Sequence, residues 1–299
     1  MTAPVETRRL TKRYAKLTAV DALDLTVRAG EVYGFLGPNG AGKTTTLRML
    51  LGLVKPTSGE VRLFGRAPGQ PGHLARVGAL VEGPAFYPYL SGRDNLRVMA
   101  RHARVAPSRI PAALDLVELT DRAGDRYSAY SLGMKQRLGV AAALLKDPRL
   151  VVLDEPTNGL DPAGMADMRM LVRRLGAAGC TVLLSSHLMT EVQELCDRVG
   201  IVVRGRLVAE NTVAELRGDR RLRVVANPLD QAASRIRARF GEDAVQVVDG
   251  GLDVAVAPEN AAAVNAELVG AGIAVSELGV RERSLERAFF DLTGGQDHA

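Results

Sequence analysis

Apolar and polar residues follow two different patterns along the first two thirds of this chain. Residues 5–28 alternate between apolar and polar positions around short breaks, which predicts an antiparallel pair of strands. A turn at 56–60 precedes a short predicted strand at 61–64, and the stretch from about 91 to 149 has helical periodicity. Continuous apolar runs typical of buried strands occur at 31–36, 77–81, 150–154, 181–186 and 199–203. Strands that alternate with helices predict an α/β sheet with crossover connections.

The last third of the chain has another pattern and predicts a second domain. Near residue 218 the balance of charge changes from basic to acidic. Residues 222–278 then read strand, helix, strand, strand, helix, strand, which is the order of ferredoxin-like folds. A last amphipathic helix is predicted at Ser284–Leu292. We therefore expect one domain over 1–218 and a small α+β domain over 219–299. The fold of the second domain does not indicate whether it regulates the first domain, supports dimerisation or only stabilises the first domain.

The overall composition excludes several classes of protein. With 46% apolar and 24% charged residues the chain resembles an ordinary soluble protein, and no apolar run reaches the ~18 residues of a membrane helix. The N-terminal segment is basic and lacks an apolar core, so we expect no signal peptide and a cytoplasmic location. A formal charge of +5 is mild and the basic residues are scattered, which argues against a nucleic-acid partner. Cys180 and Cys196 lack metal-like spacing and are expected to be buried structural thiols.

A glycine-rich segment after the strand at 31–36 carries the most specific signal in the sequence. It matches the pattern G-x-x-x-x-G-K-[ST] at every fixed position, with the residues Gly37, Pro38, Asn39, Gly40, Ala41, Gly42, Lys43, Thr44 and Thr45. Glycines let the backbone turn its N–H groups toward an anion, and the following helix adds partial positive charge. Lys43 is expected to reach the β- and γ-phosphates, and the Thr44 hydroxyl to bind Mg²⁺. The sequence therefore predicts a site for a nucleoside triphosphate such as ATP.

Two carboxylates and a histidine follow later strands of the predicted sheet. Asp154 and Glu155 stand at the end of the apolar run that begins at residue 150. Asp154 would hold the Mg²⁺ shell, and Glu155 would polarise the attacking water as general base. Without the phosphate loop, the same two acids would be an ordinary strand-to-loop transition. His187 follows the strand at 181–186 and could hydrogen-bond a γ-phosphate, although a lone histidine at a strand end is commonly structural.

Three further segments each allow a structural and a functional interpretation. Ser131, with Gly133 close behind, opens a helix either as a simple N-cap or as a second anion-binding helix terminus. Asp161 precedes a proline and has the position of a helix cap. Tyr14 ends a strand, where it either packs against the core or stacks on an adenine ring.

These motifs, in this order and spacing, resemble those of an ATP-binding cassette (ABC) transporter ATPase over roughly residues 5–217. The resemblance implies a P-loop NTPase fold with a RecA-like α/β core, an antiparallel β subdomain and a helical subdomain at about 84–149. It also implies a homodimer in which two copies sandwich two ATP molecules. Tyr14 would then stack on adenine, Ser131 and Gly133 would bind the γ-phosphate across the dimer, Asp161 would link the two sites, and His187 would be the switch histidine.

The chain departs from the common family pattern at two places. Glu82 stands where the family usually has glutamine, and the signature usually written Leu-Ser-Gly-Gly-Gln is here Tyr-Ser-Leu-Gly-Met. Both variants resemble the bacitracin-resistance and lantibiotic-immunity branch of bacterial ABC ATPases, and residues 284–294 resemble the ending of drug-export ATPases in that branch. A carboxylate at Glu82 can still ligate Mg²⁺, so we expect hydrolysis to persist while its effect on coupling stays open.

The resemblance implies the ATP-hydrolysing subunit of a bacterial exporter for a drug or peptide antibiotic, peripheral on the inner face of the membrane. A separate permease would contact the segment around Glu82, Phe86, Tyr87 and Leu90, although these aromatic residues could equally be core. An ATP-gated sensor complex is the alternative that the sequence does not separate from export. ABC ATPases of DNA repair or translation carry a long coiled-coil insertion or two cassettes, and this chain has neither.

Overall fold

The computed structural model describes residues 2–217, 221–248 and 250–281. The chain divides into two compact units, Met1–Thr212 and Val213–Ala299, so the division falls slightly before the predicted boundary at residue 218. The helix predicted at Ser284–Leu292 lies outside the described residues.

A three-stranded antiparallel sheet begins the first unit. Its strands, numbered in chain order, are β1 (Val5–Tyr14), β2 (Leu17–Val27) and β4 (Ser58–Leu63), in the spatial order β2-β1-β4. The antiparallel pairing of β1 with β2 confirms the prediction for residues 5–28. Residues 58–60 were expected to form a turn, but they belong to β4 because Glu60 pairs with Arg8 of β1.

The second sheet of this unit has six strands in the order β5-β6-β7-β3-β8-β9. Their bounds are β3 (Val32–Leu36), β5 (Val77–Leu80), β6 (Leu150–Asp154), β7 (Thr181–Ser186), β8 (Arg198–Val203) and β9 (Arg206–Thr212). The first five of these are parallel, and only β9, which the sequence pattern did not predict, pairs antiparallel with β8. Because the strands are parallel, the carboxyl ends of β5, β6, β7 and β3 meet at one edge of the sheet.

Six helices connect these strands: α1 (Lys43–Leu50), α2 (Gly92–His102), α3 (Arg109–Leu116), α4 (Leu132–Leu144), α5 (Pro162–Ala177) and α6 (Met189–Leu195). Three begin at a side-chain cap, because Ser91, Ser131 and Asp161 accept the N–H groups of Asp94, Met134 and Gly164. Within the part of the chain that the structure describes, every helix is too short or too polar to serve as a membrane span.

The core of the first unit lies against β3 and α1. Tyr33 and Phe35 of β3 are fully buried together with Leu47 and Leu50 of α1. Burying side chains of this size stabilises a fold by about 1.5–3 kcal/mol each, so the strand and the helix on either side of the glycine-rich segment are firmly held.

The second unit contains α7 (Val213–Arg217), β10 (Arg221–Asn227), α8 (Leu229–Phe240), β11 (Val245–Val248), β12 (Gly251–Val254), α9 (Ala261–Gly270) and β13 (Ala274–Arg281). From β10 onward this is the β-α-β-β-α-β order predicted from the sequence. The strands lie in the antiparallel order β11-β12-β10-β13. Leu222, Ile236, Leu252 and Leu268 are fully buried among the residues of its own core.

Candidate nucleotide site

Four connections meet at the carboxyl edge of the parallel strands and carry the polar residues singled out in the sequence. The glycine-rich segment follows β3, Glu82 follows β5, Glu155 follows β6 and His187 follows β7. The register places Asp154 beside Ser185 of the next strand. Residues more than a hundred positions apart are thus brought to one edge by the strand order.

The glycine-rich segment wraps closely around neighbouring backbone. Gly40 and Gly42 have φ values of 81° and 100°, which side-chain-bearing residues rarely adopt. A Cβ at Gly42 would lie 2.3 Å from the carbonyl oxygen of Ala19, so this position also lacks space for a side chain. Pro38, Asn39 and Gly40 are exposed, whereas Gly37, next to β3, is buried. The loop therefore presents its backbone to solvent directly before the N-terminus of α1, as an anion site requires.

Lys43, the first residue of α1, turns its ammonium group back over this loop. Its Nζ donates to the carbonyl oxygens of Gly37 at 2.7 Å and Pro38 at 3.2 Å. The same atom lies 3.1 Å from Glu155 Oε1, with the Lys43 side chain only 6% exposed. A buried cation held this way is positioned to meet a negatively charged group that enters the loop.

The carboxylate of Glu155 is fixed on both of its oxygens. Oε1 faces Lys43, and Oε2 lies 2.6 Å from Nδ1 of His187. The backbone N–H of Glu155 donates to Ser185, both to the side-chain Oγ at 3.0 Å and to the carbonyl oxygen at 3.2 Å. These bonds stabilise the left-handed backbone conformation of Glu155, whose φ is 48°. The structure thus brings together Lys43, Glu155 and His187, all three predicted site residues.

Ser185 is a site residue that the sequence analysis missed. Its Oγ accepts the N–H of Glu155 and donates to Asp154 Oδ1 at 2.6 Å, so one hydroxyl orients both acids. Asp154 and Ser185 are both buried, which makes this hydrogen bond insensitive to solvent. The sequence does show two serines, Ser185 and Ser186, at the end of an apolar run. Only the register of β6 and β7 shows which of the two lies beside Asp154.

Glu82 lies at the same edge and is tied to α1. Its side chain is 55% exposed and forms an ion pair with Arg48, a residue of α1 whose side chain is 37% exposed. The backbone of Glu82 is left-handed, with a φ of 65°. Thr44 is half-buried one helical turn before Arg48. Asp154, Thr44 and Glu82 are therefore oxygen-bearing residues on three elements that border one site.

Comparison with known proteins decides the family. The model of the family described as ABC transporter matches residues 20–158. An uncharacterised ABC transporter ATP-binding protein of Bacillus subtilis, YhcH, is 39% identical over 98% of this chain and 97% of its own length. The bacitracin transport ATP-binding protein BcrA of Bacillus licheniformis is 39% identical over 99% of each chain. The chain belongs to the ABC transporter ATP-binding proteins.

The fold agrees with this assignment. The solved structure of an ATP-binding subunit of an ABC transporter is 28% identical, covers 71% of this chain and 91% of its own, and superposes with a TM-score of 0.64. The predicted α/β P-loop fold of the ABC ATPases is confirmed. This ABC ATPase binds nucleotide, and ATP hydrolysis coupled to transport is the activity of its family.

Four other residues, expected either to stack on adenine or to act across a dimer, have no described contact with the cluster around Lys43. Tyr14 is 43% exposed, and Lys12 Nζ lies 4.9 Å from the centre of its ring. Ser131 is exposed; its side-chain Oγ accepts the N–H of Met134 at 3.2 Å and its carbonyl oxygen accepts the N–H of Lys135 at 2.9 Å. Gly133 follows in the same turn of α4, and Asp161 caps α5. These four residues have local contacts within one copy of the ABC ATPase.

The aromatic segment after Glu82 is anchored to α2. Asn95 is buried, accepts the N–H of Tyr87 at 2.9 Å, and donates to the carbonyl oxygen of Tyr87 at 3.0 Å. Its amide also lies 3.4 Å from the carbonyl oxygen of Leu90. Phe86 packs edge-on against Tyr127 at 5.3 Å, whereas Tyr87 is 49% exposed. Phe86 thus has a packing role, and the Tyr87 ring is available at the surface.

Proposed function

We propose that this chain is the ATP-hydrolysing subunit of an ABC exporter that moves a peptide antibiotic or a drug through a separate membrane permease. The observation that carries the hydrolytic part is the arrangement of Glu155 between Lys43 at 3.1 Å and His187 at 2.6 Å, beside the phosphate loop. The class of cargo is supported by BcrA, a bacitracin transport protein that matches this chain over nearly its whole length. The protein would act in the cytoplasm, peripheral to the inner face of the membrane.

In the proposed reaction, a water oxygen attacks the γ-phosphorus and the bond from that phosphorus to the bridging oxygen of ADP breaks. Glu155 takes a proton from the attacking water, as a positioned general base. Lys43 binds the β- and γ-phosphate oxygens and offsets their charge. His187 keeps the Glu155 carboxylate aligned and contacts the γ-phosphate. Ser185 holds Glu155 and Asp154 in their relative orientation.

The oxygen-bearing residues fit a Mg²⁺ ion that binds together with the nucleotide. Thr44, Asp154 and Glu82 offer a hydroxyl and two carboxylates, the hard oxygen donors that Mg²⁺ prefers. No group of three or more His, Cys, Asp or Glu side chains among the described residues forms a metal site by itself. When bound, Mg²⁺ would neutralise charge on the phosphate oxygens.

A second copy of the chain would complete the site. The N-terminus of α4 presents the exposed Ser131 and the partly exposed Gly133, and a helix N-terminus with free donors attracts a phosphate. Because Ser131 is exposed at this helix terminus, we infer that it and Gly133 reach the γ-phosphate bound by the other copy. Asp161 would lie at the same interface and connect the two sites, and Tyr14 would stack on the adenine.

The permease would bind the segment of Glu82, Phe86, Tyr87 and Leu90. Asn95 fixes the backbone of this segment while the ring of Tyr87 is half-exposed, which suits a preformed docking surface. Because Glu82 belongs to the same segment, movement of the permease would be transmitted directly to the edge of the nucleotide site.

The hydrolytic role is tested by replacing the proposed base. Glu155→Gln removes the proton acceptor but keeps the shape of the side chain. We expect turnover to fall by at least about 100-fold, together with an ATP-stabilised dimer detectable by light scattering. The exposed Glu60→Gln serves as the control and should retain wild-type turnover. Full turnover by Glu155→Gln would place the base elsewhere, with Glu82 as the next candidate.

Export is tested separately, with the permease present. In membrane vesicles that contain both subunits, ATP should drive movement of bacitracin or a related peptide, and Glu155→Gln should stop it. ATP hydrolysis stimulated by the peptide without any movement of the peptide would instead identify a sensor complex.

A further inference from the structure

The ion pair between Arg48 and Glu82 has no assigned role in the reaction above. Arg48 lies on α1 one helical turn after Thr44, so both side chains occupy the same face of the helix. Glu82 follows β5, whose neighbour β6 ends in Asp154. The pair thus joins the phosphate-loop helix to the segment that we propose faces both Mg²⁺ and the permease.

Folding stability does not account for this contact. Both side chains are substantially exposed, 37% for Arg48 and 55% for Glu82, and exposed ion pairs contribute little to stability. The contact does have an electrostatic consequence at the site. A carboxylate at position 82 brings a negative charge toward the phosphates, and the guanidinium of Arg48 neutralises that charge from the neighbouring helix.

We propose that Arg48 is a positioning residue that acts through Glu82. It holds the carboxylate at α1 before the nucleotide is loaded and then competes with Mg²⁺ for the same oxygens. This inference rests on the proposed metal role of Glu82. It assigns to Arg48 a specific effect, namely that the arginine raises the Mg²⁺ concentration needed for nucleotide binding.

A double-mutant cycle on the full-length protein tests the inference. The readout is binding of a non-hydrolysable ATP analogue, measured by titration at a series of Mg²⁺ concentrations. Arg48→Gln should lower the Mg²⁺ concentration at half-maximal binding by about two- to five-fold, the range that an exposed ion pair can supply. Arg48→Lys keeps the positive charge and should behave like the wild type.

Glu82→Gln should raise the half-maximal Mg²⁺ concentration, because a carboxylate ligand is lost. Adding Arg48→Gln to Glu82→Gln should then change nothing further, since Arg48 has no carboxylate left to hold. Melting temperatures of all variants should match the wild type, which separates this effect from loss of folding.

Two results would overturn the inference while leaving the nucleotide site intact. One is an Arg48→Gln effect of the same size in the Glu82→Gln background. The other is an Arg48→Lys variant that behaves like Arg48→Gln. If binding of the analogue by the wild type does not depend on Mg²⁺ at all, the proposed metal site fails and the role of Arg48 fails with it.

Discussion

A buried arginine in β8 allows a quantitative test of how polar groups support the six-stranded sheet. Arg198 lies 3.0 Å from Glu31 Oε1 and 3.1 Å from Glu210 Oε1. Tyr33 donates its hydroxyl to the same oxygen of Glu210 at 2.7 Å. Burial raises the pKa of Tyr33 well above its usual value, so this hydroxyl stays a donor. The network ties β9, the antiparallel edge strand, to β8 and β3.

The perturbation is Arg198→Met, which keeps much of the volume but removes the charge. Glu31 would then be a buried carboxylate, 10% exposed, without its counter-charge. Breaking a buried ion pair from one side costs about 3–5 kcal/mol. Glu31 still accepts the backbone N–H of Arg28 at 2.6 Å, so we expect a value near the lower limit, about 3 kcal/mol. With a urea dependence of about 2–3 kcal/mol per M, the unfolding midpoint should fall by about 1–1.5 M.

Pulse proteolysis in urea measures this midpoint on the full chain. Arg206→Met is the matched control, because Arg206 is 71% exposed and its pair with Asp21 should contribute about 1 kcal/mol or less. Adding Glu31→Gln to Arg198→Met removes the buried charge, keeps an acceptor for Arg28, and should recover much of the loss. If Arg198→Met destabilises the protein no more than Arg206→Met, or if the double variant is as unstable as the single one, Arg198 does not stabilise the fold by neutralising Glu31.

Two other predictions concern local features. Asn95→Ala leaves the backbone groups of the aromatic segment without their buried partner, so chymotrypsin should cut the native protein after Tyr89 about ten-fold faster, and an unchanged rate would contradict the anchoring role. Burial raises the pKa of Cys180 to about 11 and that of Cys196 well above its usual value, so both thiols are protonated at pH 7. Iodoacetamide should label them slowly in the native protein and rapidly in urea, as followed by mass spectrometry; rapid native labelling would show a thiolate.

The phosphate loop could be predicted from the sequence because its shape is determined locally. Its glycines occupy the two positive-φ positions that the turn requires, at Gly40 and Gly42. The strands at 150–154 and 181–186 have the predicted bounds, since each is a buried apolar run that ends at the polar residues of the site. The predicted caps Ser131 and Asp161 also bind the N–H groups of their own helices.

Features that depend on distant partners could not be predicted in this way. Strand β4 begins at Ser58 because Ser58 pairs with Thr11, more than forty residues earlier in the chain. Strand β9 lies at the edge of the sheet, and its side chains range from half-buried to exposed without a clear pattern. It is recognisable as a strand only by its pairing with β8. Ser185 is recognisable as a site residue only once β6 and β7 are aligned. In each case the deciding contact is between strands, which local periodicity does not encode.

Helix α1 carries the cations that face two of the three acidic residues at the site, Glu155 and Glu82. Lys43, its first residue, contacts Glu155, and Arg48, near its end, contacts Glu82. Glu155 Oε1 faces the Lys43 ammonium and Oε2 faces His187, so part of the lone-pair capacity of the carboxylate is occupied and the rest stays open to a water molecule. Lys43 is also the residue that we propose binds the β- and γ-phosphate oxygens. Nucleotide binding at the start of α1 would therefore draw the Lys43 ammonium from Glu155 toward the phosphates, and Mg²⁺ would draw Glu82 from Arg48 near the other end of the same helix.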